Sequence, residues 1–236
     1  MDNAKETTPL QQILVFINET RKYILGLLLV ISATAAGFYF LAPKVLTFFQ
    51  NHLDQELAFF TVAEPFLAHV KLALISAVFT LMPVIACFVW LALTKPFKIS
   101  KAARNWFIIF TCILFYCGAW FCYSITLPFG VKFLLEFQTA QLKPIIAVSK
   151  FVNFVAVFIL AFGLIFELPI FMVFASRTGI IPRRVFEKNR RYAVLAISIV
   201  AALLTPTPDV VNMLLMGVPL YLLYEVGILV MKMLKI

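Results

Sequence analysis

Charge is scarce in this chain: Asp, Glu, Lys and Arg together make up 13% of 236 residues, against 63% hydrophobic residues and a mean hydropathy of +1.01. A soluble domain devotes about a quarter of its residues to those four types, so a water-soluble fold is excluded. Histidine is scarcer still, and neither His52 nor His69 lies near a cysteine or serine pattern. There is no GxxxxGK[ST] phosphate loop and no HExxH pair, so enzymatic catalysis has no support, and any work the protein does must draw on a gradient or on another subunit. Cys87, Cys112, Cys117 and Cys122 form no CxxC and lie inside apolar runs, where they read as small core residues rather than as a disulfide framework or a zinc site. No cofactor or metal is assigned. The first twelve residues, MDNAKETTPLQQ, lack a basic n-region and a small-residue cleavage site, so no removable signal peptide is indicated and the first span is expected to direct insertion. Repeats, low-complexity tracts and flexible linkers are also missing, which leaves one membrane domain over residues 1–236 as the expected organisation.

What the chain does have is a series of long apolar runs with its charges gathered between them, the pattern of a polytopic helical membrane protein rather than an alternating-strand barrel. The runs predict spans over 24–41, 69–93 with Pro83 inside, 105–127 closed by Pro128, 151–175, 192–204 and 210–231. Residues 44–68 mix Phe48, Phe49, Phe59, Phe60 and Phe66 with Asp54, Glu56 and Glu64, which suits a short amphipathic helix and loop at the membrane surface. Trp90 and Trp106 bracket the basic loop between the second and third spans, as interfacial anchors would. The fifth run is short for a crossing, so length alone leaves a re-entrant segment open; two short spans are preferred because hydrophobic mismatch costs only fractions of a kcal/mol per Å.

Orientation follows from the basic residues. Lys5, Arg21, Lys22, Lys95, Lys98, Lys101, Arg104, Arg177, Arg183, Arg184, Lys188, Arg190, Arg191, Lys232 and Lys235 fall on one side, leaving only Lys44, Lys71, Lys132, Lys143 and Lys150 for the other. The positive-inside rule makes the first group cytoplasmic, and six spans with both termini inside fit the parity. The net charge of +9 is thus accounted for by topology and anionic lipid, without a nucleic-acid partner.

The run 151–175 carries one carboxylate, Glu167, about two-thirds of the way across. A charge at that depth costs on the order of 2.5–3.5 kcal/mol on insertion scales, so such an acid is protonated, partnered or facing water, and functional by default. Pro169, two residues on, removes the amide that would bond the Ile165 carbonyl, and Gly163 lies one turn before the acid, so a kink is expected beside it. Glu225 should lie at similar depth in the sixth span, where it either shares a wet cavity with Glu167 or snorkels toward the headgroups beside Lys232. Asp209, after two prolines, is a turn residue or a cap for the sixth helix.

The run Phe162-Gly163-Leu164-Ile165-Phe166-Glu167-Leu168-Pro169, followed by Arg190-Arg191-Tyr192, Thr205-Pro206-Thr207-Pro208-Asp209 and Pro219 through Leu223-Tyr224-Glu225, resembles the TatC subunit of the twin-arginine translocase in order and spacing. Glu64-Pro65-Phe66 with Lys71, and Phe121, Tyr123 and Pro128, extend the resemblance through the first half. It implies an all-α membrane protein of six helices in a cupped bundle, with short fifth and sixth helices and a thinned membrane. It also implies a multi-pass protein of the bacterial cytoplasmic membrane that is a receptor for twin-arginine signal peptides. Such a protein works in an oligomer with TatA-type and TatB-type subunits, on folded cargo, driven by the proton-motive force. By the same resemblance Glu19 and Arg21 bind signal peptides, Glu167, Glu225 and Tyr123 are intramembrane partner contacts, and Glu64, Pro65, Phe66, Lys71 and Asp209 belong to the outer loops. The chain departs from the family pattern before the first span, where Phe16-Ile17-Asn18-Glu19-Thr20-Arg21 keeps the acid and the arginine but lacks the usual His and Leu. It departs again at Lys101-Ala102-Ala103-Arg104, which offers no acid. Two readings from other classes stay open: a proton-coupled transporter, which predicts inverted repeats, and an assembly factor that binds a partner helix without reading twin arginines.

Overall fold

A computed structural model describes residues 9–53, 57–97, 99–135, 146–204 and 210–235, and nearly all of this is helix. Helix α1 (Pro9–Tyr39) ends at Phe40 and Leu41, and α2 (Ala42–Leu53), with Pro43 in its first turn, leaves at 70° to it. The mixed composition of 44–68 predicts a short helix, and α2 occupies the first part of that stretch. The second span starts earlier than the hydropathy suggested: α3 (Glu64–Thr80) begins at Glu64 because Pro65 occupies its first turn, where a missing N–H costs nothing. It breaks at Leu81 and resumes 59° away as α4 (Met82–Thr94). After a basic loop, Ser100 caps α5 (Lys101–Phe121) by accepting from the Ala103 N–H.

The third span does not stop at Pro128, contrary to expectation. A five-residue π segment (Cys122–Thr126) widens the helix so that the Leu127 N–H bonds five residues back to the Cys122 carbonyl, and α6 (Leu127–Leu135) then carries the chain straight through the proline. One extra residue per turn absorbs the ring that an α-helix would have clashed with. After α7 (Val148–Ile165) the chain turns at Phe166 and Glu167 and continues as α8 (Leu168–Arg177), the break expected from Pro169. A short α9 (Arg183–Lys188), α10 (Arg190–Leu204) and α11 (Val210–Met233) complete the order. A feature absent from the sequence reading is a two-residue parallel pair in which β1 (Leu57–Ala58) binds β2 (Ile146–Ala147), tying two distant loops together.

Among the described residues three helical stretches, Lys101–Lys132, Val148–Arg177 and Met216–Met233, are long and apolar enough to cross a membrane, and the two bent pairs bring the count to as many as five. Helix α10, at 15 residues, reaches only about 22 Å, short of a hydrocarbon layer about 30 Å thick. Large apolar side chains such as Leu29, Trp120, Leu164 and Leu203 point out of the fold, as a lipid solvent permits.

Most of the buried hydrophobic side chains among the described residues fall into two clusters. One, with Leu72, Val155, Phe158 and Phe162, joins α2, α3 and α7; the other, with Trp90, Phe107, Phe174 and Ile228, joins α4, α5, α8 and α11. Helices α5 and α7 meet through paired glycines. A Cβ on Gly118 would lie 2.7 Å from the Phe162 carbonyl oxygen, and one on Gly163 would lie 2.5 Å from the Phe115 ring. Trp90 corrects its sequence assignment: it is not an interfacial anchor but is 1% exposed, stacked on Phe107 at 4.7 Å and set edge-on to Phe174 at 5.2 Å. Trp106 is exposed. Of the cysteines, Cys122 is buried, whereas Cys117 is exposed and therefore not a core residue.

Prolines in the bent helices strip hydrogen bonds from specific carbonyls, and other helices supply replacements. Pro83 cannot bond the Phe79 carbonyl, which accepts from the Tyr116 hydroxyl of α5 at 3.0 Å. Pro128, in π register, cannot bond the Tyr123 carbonyl, which pairs with His52 Nε2 of α2 at 3.1 Å.

Candidate functional site

Glu167 sits at the break between α7 and α8 and is 3% exposed. Its backbone stays engaged, since its carbonyl accepts from the Ile170 and Phe171 amides. The hydroxyl of Thr111 on α5 accepts from Trp90 Nε1 of α4 at 2.8 Å. The Glu167 Oε1 is buried with no hydrogen-bond partner among the described residues. A neutral carboxyl suits this place, because an isolated buried carboxylate carries a desolvation cost that only a cation or several donors would offset.

Glu225 does not join it. Its Oε2 pairs with Arg190 Nη2 at 3.1 Å and its Oε1 accepts from the Tyr221 hydroxyl at 2.9 Å, so the shared cavity anticipated from depth is not formed among the described residues. The guanidinium at the start of α10 is the stronger attraction, a charge-assisted bond that a neutral carboxyl does not offer. Lys232, the partner considered from sequence, is not the one used. The neighbouring Tyr224 donates to the Phe186 carbonyl at 2.8 Å, so α11 holds both α9 and α10 at the basic end.

Tyr123 lies in the π segment, with the His52 ring stacked on it at 4.0 Å and Phe48 nearly parallel at 5.5 Å. It lines an apolar cavity of about 490 Å³ together with Phe38, Val45, Phe48, Phe79 and Tyr116; Glu167 is not among the lining residues. Glu64 opens α3, where its Oε2 accepts from the Phe60 N–H at 2.7 Å. Pro65 follows, Phe66 meets the Tyr39 ring edge-on at 6.1 Å, and Lys71 is exposed. Glu19 and Arg21 fall in α1, but their side chains, like the whole of Asp209, lie outside the described residues. Sequence reasoning missed the buried bond from Trp90 to Thr111 that joins α4 to α5. The available signal was a lone threonine and a tryptophan within apolar runs, each carrying a polar atom that burial obliges to find a partner.

A bundle of bent apolar helices around a buried carboxyl defines a polytopic helical membrane protein. The family model described as "Sec-independent protein translocase protein (TatC)" matches residues 15–219. The chain belongs to the TatC family, whose members are translocase subunits and not enzymes. It is 35% identical to a Sec-independent protein translocase protein TatC of Carboxydothermus hydrogenoformans over 78% of its own length and 76% of that protein. To the TatC of Koribacter versatilis it is 34% identical, over 75% of its own length and 66% of the relative's. It superposes on a crystal structure of the twin arginine translocase receptor TatC in DDM with a TM-score of 0.79 and 26% identity, over 91% of this chain and 98% of that one.

Proposed function

We propose that this protein is the signal-peptide receptor and membrane core of a twin-arginine translocase, moving folded proteins across the bacterial cytoplasmic membrane at the expense of the proton-motive force. The observation that carries this reading is the superposition on a twin arginine translocase receptor over 91% of the chain. In this reading the chain crosses six times with both termini in the cytoplasm. The short α10 then serves as the fifth span in a thinned bilayer, and the Arg190 to Glu225 pair lies at the cytoplasmic end. TatA-type and TatB-type subunits are its partners in an oligomer within the lipid bilayer.

Glu19 acts as an acceptor for a signal-peptide arginine, with Arg21 beside it. The loop stretch Lys101-Ala102-Ala103-Arg104 provides no second acid, so binding of the arginine pair rests on Glu19 and neutral acceptors. That same absence favours one alternative, an assembly protein that binds a partner helix without reading arginines. Comparing twin-arginine with twin-lysine peptides on the full chain in nanodiscs separates the two. The receptor discriminates, Glu19→Ala loses about 1.5–3 kcal/mol of binding, the range for a hydrogen bond to a charged group, and Ala103→Glu tightens it. Equal affinity for both peptides would leave the assembly reading standing.

A further inference from the structure

The apolar cavity of about 490 Å³ has a floor, a roof and an open side. Leu72 of α3, Ala119 of α5 and Val155 and Ala156 of α7 line it and are almost wholly buried, whereas Phe48 of α2 and Trp120 of α5 line it with 57% and 66% of their surface exposed. The buried four form the floor, and the exposed two stand at the mouth. The roof is α2, which leaves α1 at 70° and is pinned through Tyr123. Phe48 lies parallel to that ring at 5.5 Å, His52 stacks on it at 4.0 Å, and His52 Nε2 pairs with its carbonyl at 3.1 Å. An apolar space does not hold water, and left empty it forfeits the dispersion contacts of the side chains around it. In size and lining it falls within the range of small-molecule sites, about 300–1,000 Å³.

Its depth matches one leaflet. Along α3 the lining runs from Leu72 to Thr80, about 12 Å of helix, against about 15 Å for half of a hydrocarbon layer about 30 Å thick. The deep end is the bend at Leu81, and the shallow end meets α2. Two lysines stand at the shallow end. Lys71 lies one turn above the lining residue Ile75 on the same face of α3, and Lys44 one turn before the lining residue Phe48 on α2. Both are exposed, and neither has an acid partner among the described residues.

We propose that this cavity holds one phospholipid of net negative headgroup from the leaflet on the α2 side, with an acyl chain lying along α3 and α7 and the phosphate at Lys44 and Lys71. A spanning helix, about 10–12 Å across, would have to displace α2 to pass through the roof, whereas a single methylene chain enters from the open side. Two lysines favour a headgroup without a cation of its own. The leaflet is the outer one in the orientation proposed above; binding in micelles does not depend on that orientation, so cysteine labelling and the binding test fail separately.

The test is native mass spectrometry and thermal unfolding of the full chain in detergent, with phosphatidylglycerol, phosphatidylethanolamine and diacylglycerol as probes. One phosphatidylglycerol should be retained per chain and raise the melting temperature, with the other two lipids binding several-fold more weakly. Lys44→Gln and Lys71→Gln should each weaken phosphatidylglycerol about fivefold, the effect of one lysine near an anionic headgroup, and leave diacylglycerol unchanged. Ser76→Leu, at a lining position, fills the cavity: without lipid it should melt at or above the parent, and it should retain no phospholipid, while Val157→Leu, exposed and outside the lining, should bind as the parent does. The exposed lysines keep the test open if Ser76→Leu does not fold. Equal binding of the three lipids, indifference to both lysine substitutions, undiminished retention by a folded Ser76→Leu, or a second copy of the chain held in place of lipid overturns the proposal.

Discussion

Placing a methyl group on Gly118 tests the packing of α5 against α7 directly. A Cβ there would stand 2.7 Å from the Phe162 carbonyl oxygen and 2.7 Å from the Phe166 ring, and the first of these is backbone that no rotamer change can clear. Alanine for glycine inside a helix gains about 1 kcal/mol in propensity, whereas an extra methyl in a close-packed interface costs about 1–3 kcal/mol. A backbone clash belongs at the upper end, so Gly118→Ala should destabilise by about 1–2 kcal/mol net. Gly163→Ala, aimed at 2.5 Å into the Phe115 ring, should do the same, and because both glycines serve one interface the double variant should lose less than the sum. Gly37 and Gly217 are the controls: nothing lies within 4 Å of a Cβ at either, so alanine there should be neutral or stabilising by up to about 1 kcal/mol. Unfolding in mixed micelles, followed by circular dichroism as the denaturing detergent fraction rises, ranks the four. The reasoning is refuted if Gly118→Ala and Gly163→Ala prove as stable as Gly37→Ala.

Single cysteines on a cysteine-free background at 143 and 209 should label with an impermeant reagent from outside, and those at 98 and 184 should not; labelling of 184 from outside would reverse the orientation derived from the basic residues. Glu167→Gln keeps a donor and an acceptor and should retain most transport, whereas Glu167→Ala should lose it through weakened partner crosslinking; equal failure of both would mean that the acid must ionise. Tyr116→Phe should cost about 0.6 kcal/mol, and at most about 1.7, by stripping the Phe79 carbonyl of its donor, and less in a Pro83→Ala background, where the main chain supplies the amide again; a double-mutant cycle by micelle unfolding reads the coupling. Arg190→Ala leaves the Glu225 carboxylate half-buried without its cation and should lower stability by more than Arg191→Ala, whose guanidinium lies over the exposed Tyr192 ring at 4.9 Å.

The apolar runs made the order of the helices legible in the sequence, since burial in lipid imposes a length and a composition that survive without any partner. Proline was legible too, but only as a local event. Pro169 marks a break as expected and Pro83, read only as lying inside a span, marks another, while Pro128 does not, because a widened turn takes up its ring and the carbonyl it leaves free pairs with His52 at a sequence separation of 71 residues. The same limit governs the site. Glu167 stood out as a lone acid in an apolar run, yet its neighbours are set by the way α4 and α5 cross the α7–α8 break, which periodicity does not encode. Glu225 was placed in its helix correctly and given the wrong company, because depth along a span says nothing about which face a neighbouring guanidinium approaches. Trp90 was misread for a related reason: position next to a basic loop suggests an interface, but the packing of Phe107 and Phe174 decides burial.

The two borrowed hydrogen bonds have opposite timing in a chain threaded into the bilayer from its N-terminus. The Phe79 carbonyl precedes its donor, Tyr116, by 37 residues, so the bend at Leu81 enters the membrane with a bare oxygen and waits, hydrated or loosely wound, until the next span arrives. The Tyr123 carbonyl has the reverse experience, because His52 is synthesised 71 residues ahead of it and has already emerged when the π segment follows. The first bend is thus finished late and the second on arrival. A biogenesis pause or an insertion chaperone acting on this chain would find its least settled backbone between the second span and the third, and a truncation ending before Tyr116 would leave that backbone permanently open.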